Sequence, residues 1–507
     1  MGTETGGEAP TTPSAGLPMS LITIGTMVLL ILGTVVLFGE TAEDGPLQVA
    51  MTFGLAAAMV IAKVGGNSAE SLAAAVRSSI DSALGTVFVL LAVGALIGSL
   101  FLSGTIATVV YYGAQFGTPQ ILYILVLVLA TVLALAIGSS FTTIAAVGLP
   151  FVALAPSMGV SPVVTAGAAV SGAMFGDSLS RISDTFLLTA SVVGVKPSDH
   201  RRALRVLLAP GWVLSAVVFV VLGVRHGGQG DFDASSVQAA IESQFTVSPI
   251  AIVPLIVVLG LSARTTGFLA LMAGAASAVV VAAFMQRELI AQVAEKTVSG
   301  AFGEWATASL VAMGEGFALD SGTDALDTTF SGGGVLSMLP TVWLILVAAA
   351  FGALVTSTGM LDRLLAPLLQ WATGAFRLIV AAAATSIGMN AALADPYASI
   401  ILSGTTFRDR FKAARLEPSV ASVSVAGSGT IASPLIPWNV NGAFAAGTLG
   451  VATFAYAQYA VLLWVTPLLL LVLGLAVYRR DQLPSEQAAD DSYQAASVDV
   501  PERRTSV

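Results

Sequence analysis

The chain has 507 residues, of which 56% are hydrophobic and 10% are charged, and its formal net charge is −9 at pH 7. Together with a mean hydropathy of +0.88, this composition excludes a water-soluble globular protein of this length. The sequence contains no cysteine, which excludes disulfides, thiolate metal sites and cysteine nucleophiles.

Apolar segments long enough to cross a bilayer recur along the whole chain. Runs such as 21–38, 120–138 and 459–477 reach the roughly 20 residues that a ~30 Å hydrocarbon core requires. With interrupted segments at 162–195 and 418–455, the pattern predicts an all-α polytopic membrane protein with about 11 to 13 transmembrane helices.

The ends of the chain differ from this apolar middle. We expect a disordered tail at 1–20, a membrane domain at 21–478 and an acidic disordered tail at 479–507. Basic residues concentrate at 196–205, 407–415 and 478–480. The positive-inside rule therefore favours a cytoplasmic C-terminus in a multi-pass protein of the cell membrane.

An internal repeat is visible in the sequence. Residues 85–104 align without gaps to residues 340–359, a shift of 255 positions (104 to 359), and Ser171-Gly172 meets Ser428-Gly429 at a shift of 257 (171 to 428). Two matches at nearly one offset predict duplicated halves, at about 70–224 and about 325–478. Transporters commonly place their substrate site where two such halves meet.

A charged dodecamer, MFGDSLSRISDT at 174–185, interrupts one apolar segment. The apolar arm after Asp184 has about 11 residues and covers ~16 Å, which places the dodecamer near the middle of the membrane. Asp177, Arg181 and Asp184 would share a face of a continuous helix and form a structural ion pair. Alternatively, the helix is broken there and its carbonyls, hydroxyls and carboxylates form a cage for a small hard cation.

Three further polar places lie inside apolar sequence. The stretch SGTIASPLIPWNVNGA at 428–443 contains Pro434 and Pro437, which favour either an interrupted span or a proline-kinked helix. Segments 137–151 and 389–404 are typical of re-entrant hairpins. Asp395, in the second hairpin, is either a cation ligand or a helix N-cap.

These motifs, SGAMFGDSLSRISDT, then SGTIASPLIPWN and GAFAAGTLGVATFAYAQYA, resemble the NhaC-type Na+/H+ antiporters, a family that also includes sodium-coupled malate/lactate exchangers. The resemblance runs from about residue 20 to 478. It implies a secondary transporter of the ion-transporter superfamily, with two inverted repeats, re-entrant hairpins and broken helices whose tips and breaks hold sodium.

When the family motifs are matched to this sequence position by position, the resemblance implies ion-binding residues at the two helix interruptions and at the two hairpins. Three departures stand out: Arg181 replaces a proline, Phe141 replaces a tryptophan and Gly427 replaces an acidic residue of the family pattern. The expected ion-binding residues are Asp177, Asp184, Ser183, Thr185, Ser180, Gly138, Ser139, Ser140, Asn390, Asp395, Ser433 and Asn439, with Arg181 as a counter-charge or a substrate clamp.

The expected function is Na+/H+ antiport, with Na+ and H+ competing for a carboxylate site that contains Asp177 and Asp184. The alternative is a Na+- or H+-coupled exchanger or symporter of a small carboxylate or an amino acid, which Arg181 would clamp. No enzyme activity and no cofactor are expected beyond the transported ions. The expected partners are membrane lipid, sodium and protons, with a homodimer left open, and no nucleic acid.

Overall fold

The computed structural model describes residues 16–116, 118–226, 234–262, 264–294 and 300–479. These ranges are 84% helical and contain no strand; Phe317 and Gly332 form one isolated antiparallel bridge. The all-α polytopic architecture is confirmed. The predicted tails lie outside the described residues, except that the first helix already begins at Leu17.

Nine helices within the described ranges are long and apolar enough to cross a membrane by length and composition. Further apolar stretches have only 10 to 17 residues: Leu122–Ile137, Asp184–Val193, Pro249–Ser262 and Val461–Leu475. The last of these lies within a helix of 19 residues, Val461–Arg479. The exact count of 11 to 13 crossings stays a prediction.

The chain begins with two apolar helices that pack against each other. A 3-10 turn at Gly39–Asp44 connects them, and Pro46 begins the second helix because proline suits the first helical turn. The Glu43 carboxylate in this turn accepts the N–H groups of Thr453 (3.0 Å) and Phe454 (3.3 Å). The helices are α1 (Leu17–Phe38) and α2 (Pro46–Val64).

The first predicted half contains two places where a helix stops inside apolar sequence. One follows Ile137, and the other follows Leu179. A π-helical turn at Ile144–Gly148 follows the first stop. The helices are α3 (Ala69–Leu102), α4 (Thr105–Phe116), α5 (Leu122–Ile137), α6 (Ser140–Thr143), α7 (Leu149–Ser157), α8 (Pro162–Leu179), α9 (Asp184–Val193) and α10 (Pro197–His226).

The middle of the chain connects the two halves and packs against α3. The glycine-rich segment after Gly314 lies on α3, where the Gly334 N–H donates to the Gly94 carbonyl at 2.8 Å. A Cβ at Gly98 would lie 1.8 Å from the Ala312 carbonyl oxygen, so this close approach requires glycine. The helices are α11 (Ala234–Glu242), α12 (Val253–Ser262), α13 (Gly267–Met285), α14 (Arg287–Val293), α15 (Ala301–Gly314) and α16 (Asp324–Thr329).

The second predicted half also has two interruptions. One lies between Leu393 and Pro396; the other includes a π-helical turn at Ala426–Thr430 and a 3-10 turn at Ser433–Leu435. The helices are α17 (Leu339–Ser357), α18 (Met360–Trp371), α19 (Ala375–Leu393), α20 (Pro396–Ala413), α21 (Pro418–Val425), α22 (Val440–Leu449), α23 (Thr453–Ala457) and α24 (Val461–Arg479).

The interruptions of the two halves have matching backbone conformations. Gly138 and Ala394 are both left-handed and each is followed by an extended N-cap residue. They are 256 positions apart (138 to 394), and so are the N-caps Ser183 and Asn439. This spacing agrees with the offset of the sequence repeat. The inverted relation of the halves stays a prediction.

Candidate functional site

Helix break one, residues 180–183, lies where the charged dodecamer predicted an interruption. Helix α8 ends because Ser180 is extended (ψ 139°), and its N–H returns to the Asp177 carbonyl at 3.0 Å. Ser183 then begins α9 by accepting the Phe186 N–H at 3.3 Å, a role that serine favours at a helix N-cap. The interrupted-helix alternative is therefore the observed one.

Asp177 is the buried carboxylate of this site. Its side chain is 7% exposed, and the hydroxyls of Ser140 and Ser183 lie against it. Its Oδ1 has no hydrogen-bond partner within the described ranges. A buried, unsatisfied carboxylate oxygen is energetically costly, so this atom is suited to a cation or a proton.

Asp184 is the first residue of α9 and is exposed. Its Oδ1 accepts the Thr185 N–H at 2.9 Å, and its Oδ2 accepts the Tyr397 hydroxyl at 2.6 Å. The two aspartates of the dodecamer are close enough to interact electrostatically. Two carboxylates this close favour a cation in their neighbourhood, because like charges repel each other.

Hydroxyl groups surround these carboxylates. The Ser183 and Thr185 hydroxyls are 3.1 Å apart. Ser180 is 1% exposed, and its Oγ has no partner in the part of the chain that the structure describes. Neutral oxygens of this kind complement carboxylates around a hard cation.

Arg181 corrects one interpretation of the sequence. It lies inside helix break one and is exposed, and within the described ranges it forms no ion pair with Asp177 or Asp184. The predicted ion pair requires a continuous helix from residue 177 to 184. The extended backbone at Ser180 removes that helical spacing, so the three charges do not share one face.

Hairpin turn one, Gly138-Ser139, presses directly against helix break one. Gly138 has φ +71°, and a Cβ there would lie 2.7 Å from Ile182 Cγ1 and 2.8 Å from the Ser183 nitrogen. Ser139 caps α6 by accepting the Thr142 N–H at 3.3 Å. This turn places the next residue, Ser140, beside Asp177.

Hairpin turn two, Ala394-Asp395, joins an antiparallel pair of helices. Asn390 Nδ2 donates to Ser399 Oγ at 2.8 Å, and Ser386 and Ser403 pair at 2.9 Å. Asp395 Oδ1 accepts the N–H groups of Tyr397 (2.7 Å) and Ala398 (3.4 Å), so the N-cap alternative is realised. A cap still leaves the other carboxylate oxygen available for a ligand.

Helix break two, residues 433–439, is tied to hairpin turn two. Asn439 Nδ2 donates to the Asn390 side-chain and backbone oxygens, both at 3.1 Å. The Val440 N–H donates to the Ala394 carbonyl at 2.8 Å. Ser433 Oγ accepts from Asn441 Nδ2 at 2.6 Å. The second half therefore forms a closed, neutral polar cluster, in contrast to the acidic site of the first half.

A cavity of about 370 Å³ leads to hairpin turn two. Its lining includes Asp395 and Ala398 on one side and Ser78, Ser79 and Ser82 of α3 on the other. A larger cavity of about 1190 Å³ lies elsewhere, between α7, α16 and the end of α22. The lining of the smaller cavity is mostly apolar, and Asp395 with several serine and threonine hydroxyls supplies the polar groups that a cation could contact.

The structure brings most predicted site residues into two groups. The first group contains Asp177, Asp184, Ser180, Ser183, Thr185 and the turn Gly138–Ser140; the second contains Asn390, Ser433 and Asn439, with Asp395 beside it.

The sequence interpretation missed Tyr397, which reaches from hairpin turn two to Asp184. The sequence offered one signal for this residue: it lies two residues after the N-cap Asp395, so its side chain projects from the first turn of the helix. The contact partner could not be read from the sequence, since the two residues are 213 positions apart.

The sequence is similar to those of known antiporters. The family model of the Na+/H+ antiporter family matches residues 3–208 and 173–477. The Na+/H+ antiporter NhaC of Alkalihalophilus pseudofirmus is 29% identical over 477 residues, covering 93% of this chain and 99% of the relative. The arginine/ornithine antiporter ArcD of Halobacterium salinarum is 29% identical over 491 residues, covering 96% of each chain. The malate-2H+/Na+-lactate antiporter of Bacillus subtilis is 28% identical over 460 residues, covering 90% of this chain and 92% of the relative.

Proposed function

Because the chain belongs to the Na+/H+ antiporter family, we propose that it exchanges sodium for protons and that both ions compete for the Asp177 carboxylate. The observation that carries this proposal is the buried Asp177 Oδ1, which lacks a partner in the described part of the chain. A proton or a sodium ion would each satisfy that oxygen, and either one would exclude the other.

Competition at one carboxylate is sufficient for antiport if the site opens to one side of the membrane at a time. A proton arriving from one side displaces sodium, and sodium arriving from the other side displaces the proton. The nearby Asp184 charge favours occupation by a cation, because it attracts the cation and repels the ionised Asp177 carboxylate.

The neutral oxygens around Asp177 complete the sodium site in this proposal. Ser140 and Ser183 lie against the carboxylate, while Ser180 Oγ is buried without a partner in the described ranges. Thr185 contributes through its contact with Ser183. Gly138 and Ser139 act by shaping the turn that presses on helix break one.

The polar cluster of the second half supports a second role. Asn390, Ser433 and Asn439 are buried. Asn439 donates to Asn390, Ser433 accepts from Asn441, and Asp395 lines the smaller cavity. We assign this cluster to a cation path that ends at Asp395. The two halves would be inverted repeats at about 70–224 and 325–478 within a membrane domain at 21–478.

The orientation of the protein follows from the basic segments. If residues 196–205, 407–415 and 478–480 face the cytoplasm of the cell, as the positive-inside rule favours, the C-terminus is cytoplasmic. Cleavage at the C-terminal tail by a protease added to sealed right-side-out vesicles would contradict this orientation.

Purified protein in proteoliposomes tests the proposed function. Sodium added outside vesicles with an acidic interior should drive proton efflux, read by a pH-sensitive dye, whereas choline should not. Repeating the assay with and without an imposed voltage tells whether exchange is electrogenic. Absence of sodium-dependent proton movement across pH 6 to 9 would contradict the proposal.

A second candidate function is exchange of a small carboxylate or an amino acid. The exposed Arg181 favours it, because it lies in helix break one beside Asp184 and a guanidinium can hold a carboxylate by two hydrogen bonds. Uptake of labelled malate, lactate or arginine into the same proteoliposomes discriminates between the two functions. Loss of such uptake in Arg181→Gln, with sodium-proton exchange retained, would assign the organic substrate to this residue.

A further inference from the structure

Tyr397 lies in the first turn of α20, directly after hairpin turn two, and its side chain reaches Asp184, the residue directly after helix break one. Its hydroxyl donates to Asp184 Oδ2 at 2.6 Å, and its own N–H donates to Asp395 Oδ1 at 2.7 Å. One residue therefore connects a carboxylate of the first half to a carboxylate of the second half.

The Tyr397 phenol lies among the three acidic residues of the site. It is close enough to Asp184, Asp177 and Asp395 to interact electrostatically with each of them. It is 37% exposed, so solvent weakens these interactions without removing them. A change in the charge of the site is therefore felt at this side chain.

The hydrogen bond also fixes the direction of the Asp184 carboxylate. One oxygen accepts the Thr185 N–H and the other accepts the Tyr397 hydroxyl. Because a carboxylate offers about four acceptor positions, lone pairs on both oxygens remain free for a cation. The two donors hold these lone pairs in one orientation.

We propose that Tyr397 is a positioning residue for sodium: its hydroxyl orients the Asp184 carboxylate and couples the ion in helix break one to the movement of hairpin turn two. This inference rests on the proposed sodium-proton exchange and assigns to Tyr397 a role that the exchange itself does not require. The residue does not need to contact the ion.

The first test is the kinetics of Tyr397→Phe, which removes only the hydroxyl. We expect the KM for sodium in proteoliposomes to rise about tenfold, because a hydrogen bond to a charged group is lost, while the maximal rate changes less than about twofold. Tyr123→Phe is the matched control: Tyr123 is buried, and its hydroxyl accepts the Ser161 N–H at 2.8 Å instead of contacting a site residue. It should leave the KM unchanged.

An unchanged KM for sodium in Tyr397→Phe would overturn the inference, whatever its maximal rate. That result is separate from a failure of the proposed function, which would appear as an absence of sodium-dependent proton movement in the unsubstituted protein. A KM that rises equally in Tyr123→Phe would also overturn the inference, because the effect would then be a general consequence of removing a buried hydroxyl.

The second test follows hairpin turn two directly and does not depend on transport. The chain has no cysteine, so Ala398→Cys places a single thiol in the smaller cavity. We expect sodium, compared with choline, to change the rate at which a membrane-impermeant maleimide labels this thiol, and Tyr397→Phe to abolish the difference. A sodium effect that persists in Tyr397→Phe, or one that is absent in Ala398→Cys alone, would overturn the coupling.

Discussion

The side-chain amide of Asn439, in helix break two, donates to the side-chain oxygen of Asn390 at 3.1 Å, next to hairpin turn two. Both residues are at most 1% exposed. Separating the two side chains would leave a buried amide without a hydrogen-bond partner, which costs free energy. The pair therefore stabilises the observed conformation of helix break two.

Asn439→Ala should lower stability by about 1 to 3 kcal/mol, because Asn390 keeps a buried oxygen without its donor. Combining it with Asn390→Ala in a double-mutant cycle should give a coupling of about 0.5 to 3 kcal/mol. Thermal unfolding in detergent measures stability, and exchange in proteoliposomes measures function.

Asn67→Ala is the control: it also removes a buried amide, which donates to Ala62 at 3.0 Å, and it should leave the KM for sodium unchanged. Additive effects of the two site substitutions would contradict the coupling.

Gly138→Ala should abolish most exchange. The alanine would be strained at φ +71°, and its Cβ would lie 2.7 Å from Ile182 Cγ1 in helix break one. Gly159→Ala separates the two effects, since Gly159 has φ +66° with no heavy atom within 4 Å of the added Cβ. The left-handed strain alone costs about 1 to 2 kcal/mol, so Gly159→Ala should keep its exchange rate. Equal loss of exchange in both variants would show that contact with helix break one is not the cause.

The rings of Phe141 and Phe444 stack with their centroids 4.1 Å apart, and their chain neighbours reach both the Asp177 site and the larger cavity. The residue before Phe141 touches Asp177, and Gly447 and Thr448, about one turn beyond Phe444, line the larger cavity. Phe444→Ala should therefore admit a membrane-impermeant maleimide from that cavity to a cysteine placed at Ser140.

Phe219→Ala is the matched control for this prediction, because Phe219 is also fully buried and loses the same ring. Each substitution should lower stability by about 3 to 5 kcal/mol, but only Phe444→Ala should speed the labelling. Labelling that is equally fast in both variants would mean that loosened packing, and not an opened barrier, admits the reagent.

Glu43 should make stability depend on pH. Burial raises the pKa of its carboxyl above the ordinary value, against the opposing effect of the Thr453 and Phe454 N–H groups. A carboxyl with a raised folded-state pKa favours the folded protein when protonated, and this contribution is lost as the pH rises through that pKa. Glu43→Gln does not titrate, so the Tm of the unsubstituted protein should rise relative to that of Glu43→Gln as the pH falls from 8 to 5. A Tm of the unsubstituted protein that falls relative to Glu43→Gln on acidification would contradict the assigned sign.

The sequence indicated where both helix breaks lie, for different local reasons, but left a continuous or a kinked helix as the alternative at each place. Charged and hydroxyl residues around Asp177 and prolines 434 and 437 each oppose a continuous apolar helix. The spacing of Arg181 from Asp177 and Asp184 suggested an ion pair on one helical face. The helix ends at Ser180, so that face does not exist. Contacts between the halves, such as Tyr397 with Asp184 and Phe141 with Phe444, depend on tertiary packing and leave no local pattern.

The most direct test of the account is sodium-driven proton efflux by Asp177→Asn in proteoliposomes, measured by dye dequenching beside the exposed control Asp199→Asn. Asparagine keeps the size of the side chain but neither binds a proton at working pH nor supplies a charge for sodium. The account predicts loss of sodium-dependent efflux in Asp177→Asn and normal efflux in Asp199→Asn. Full exchange by Asp177→Asn would contradict competition at this carboxylate.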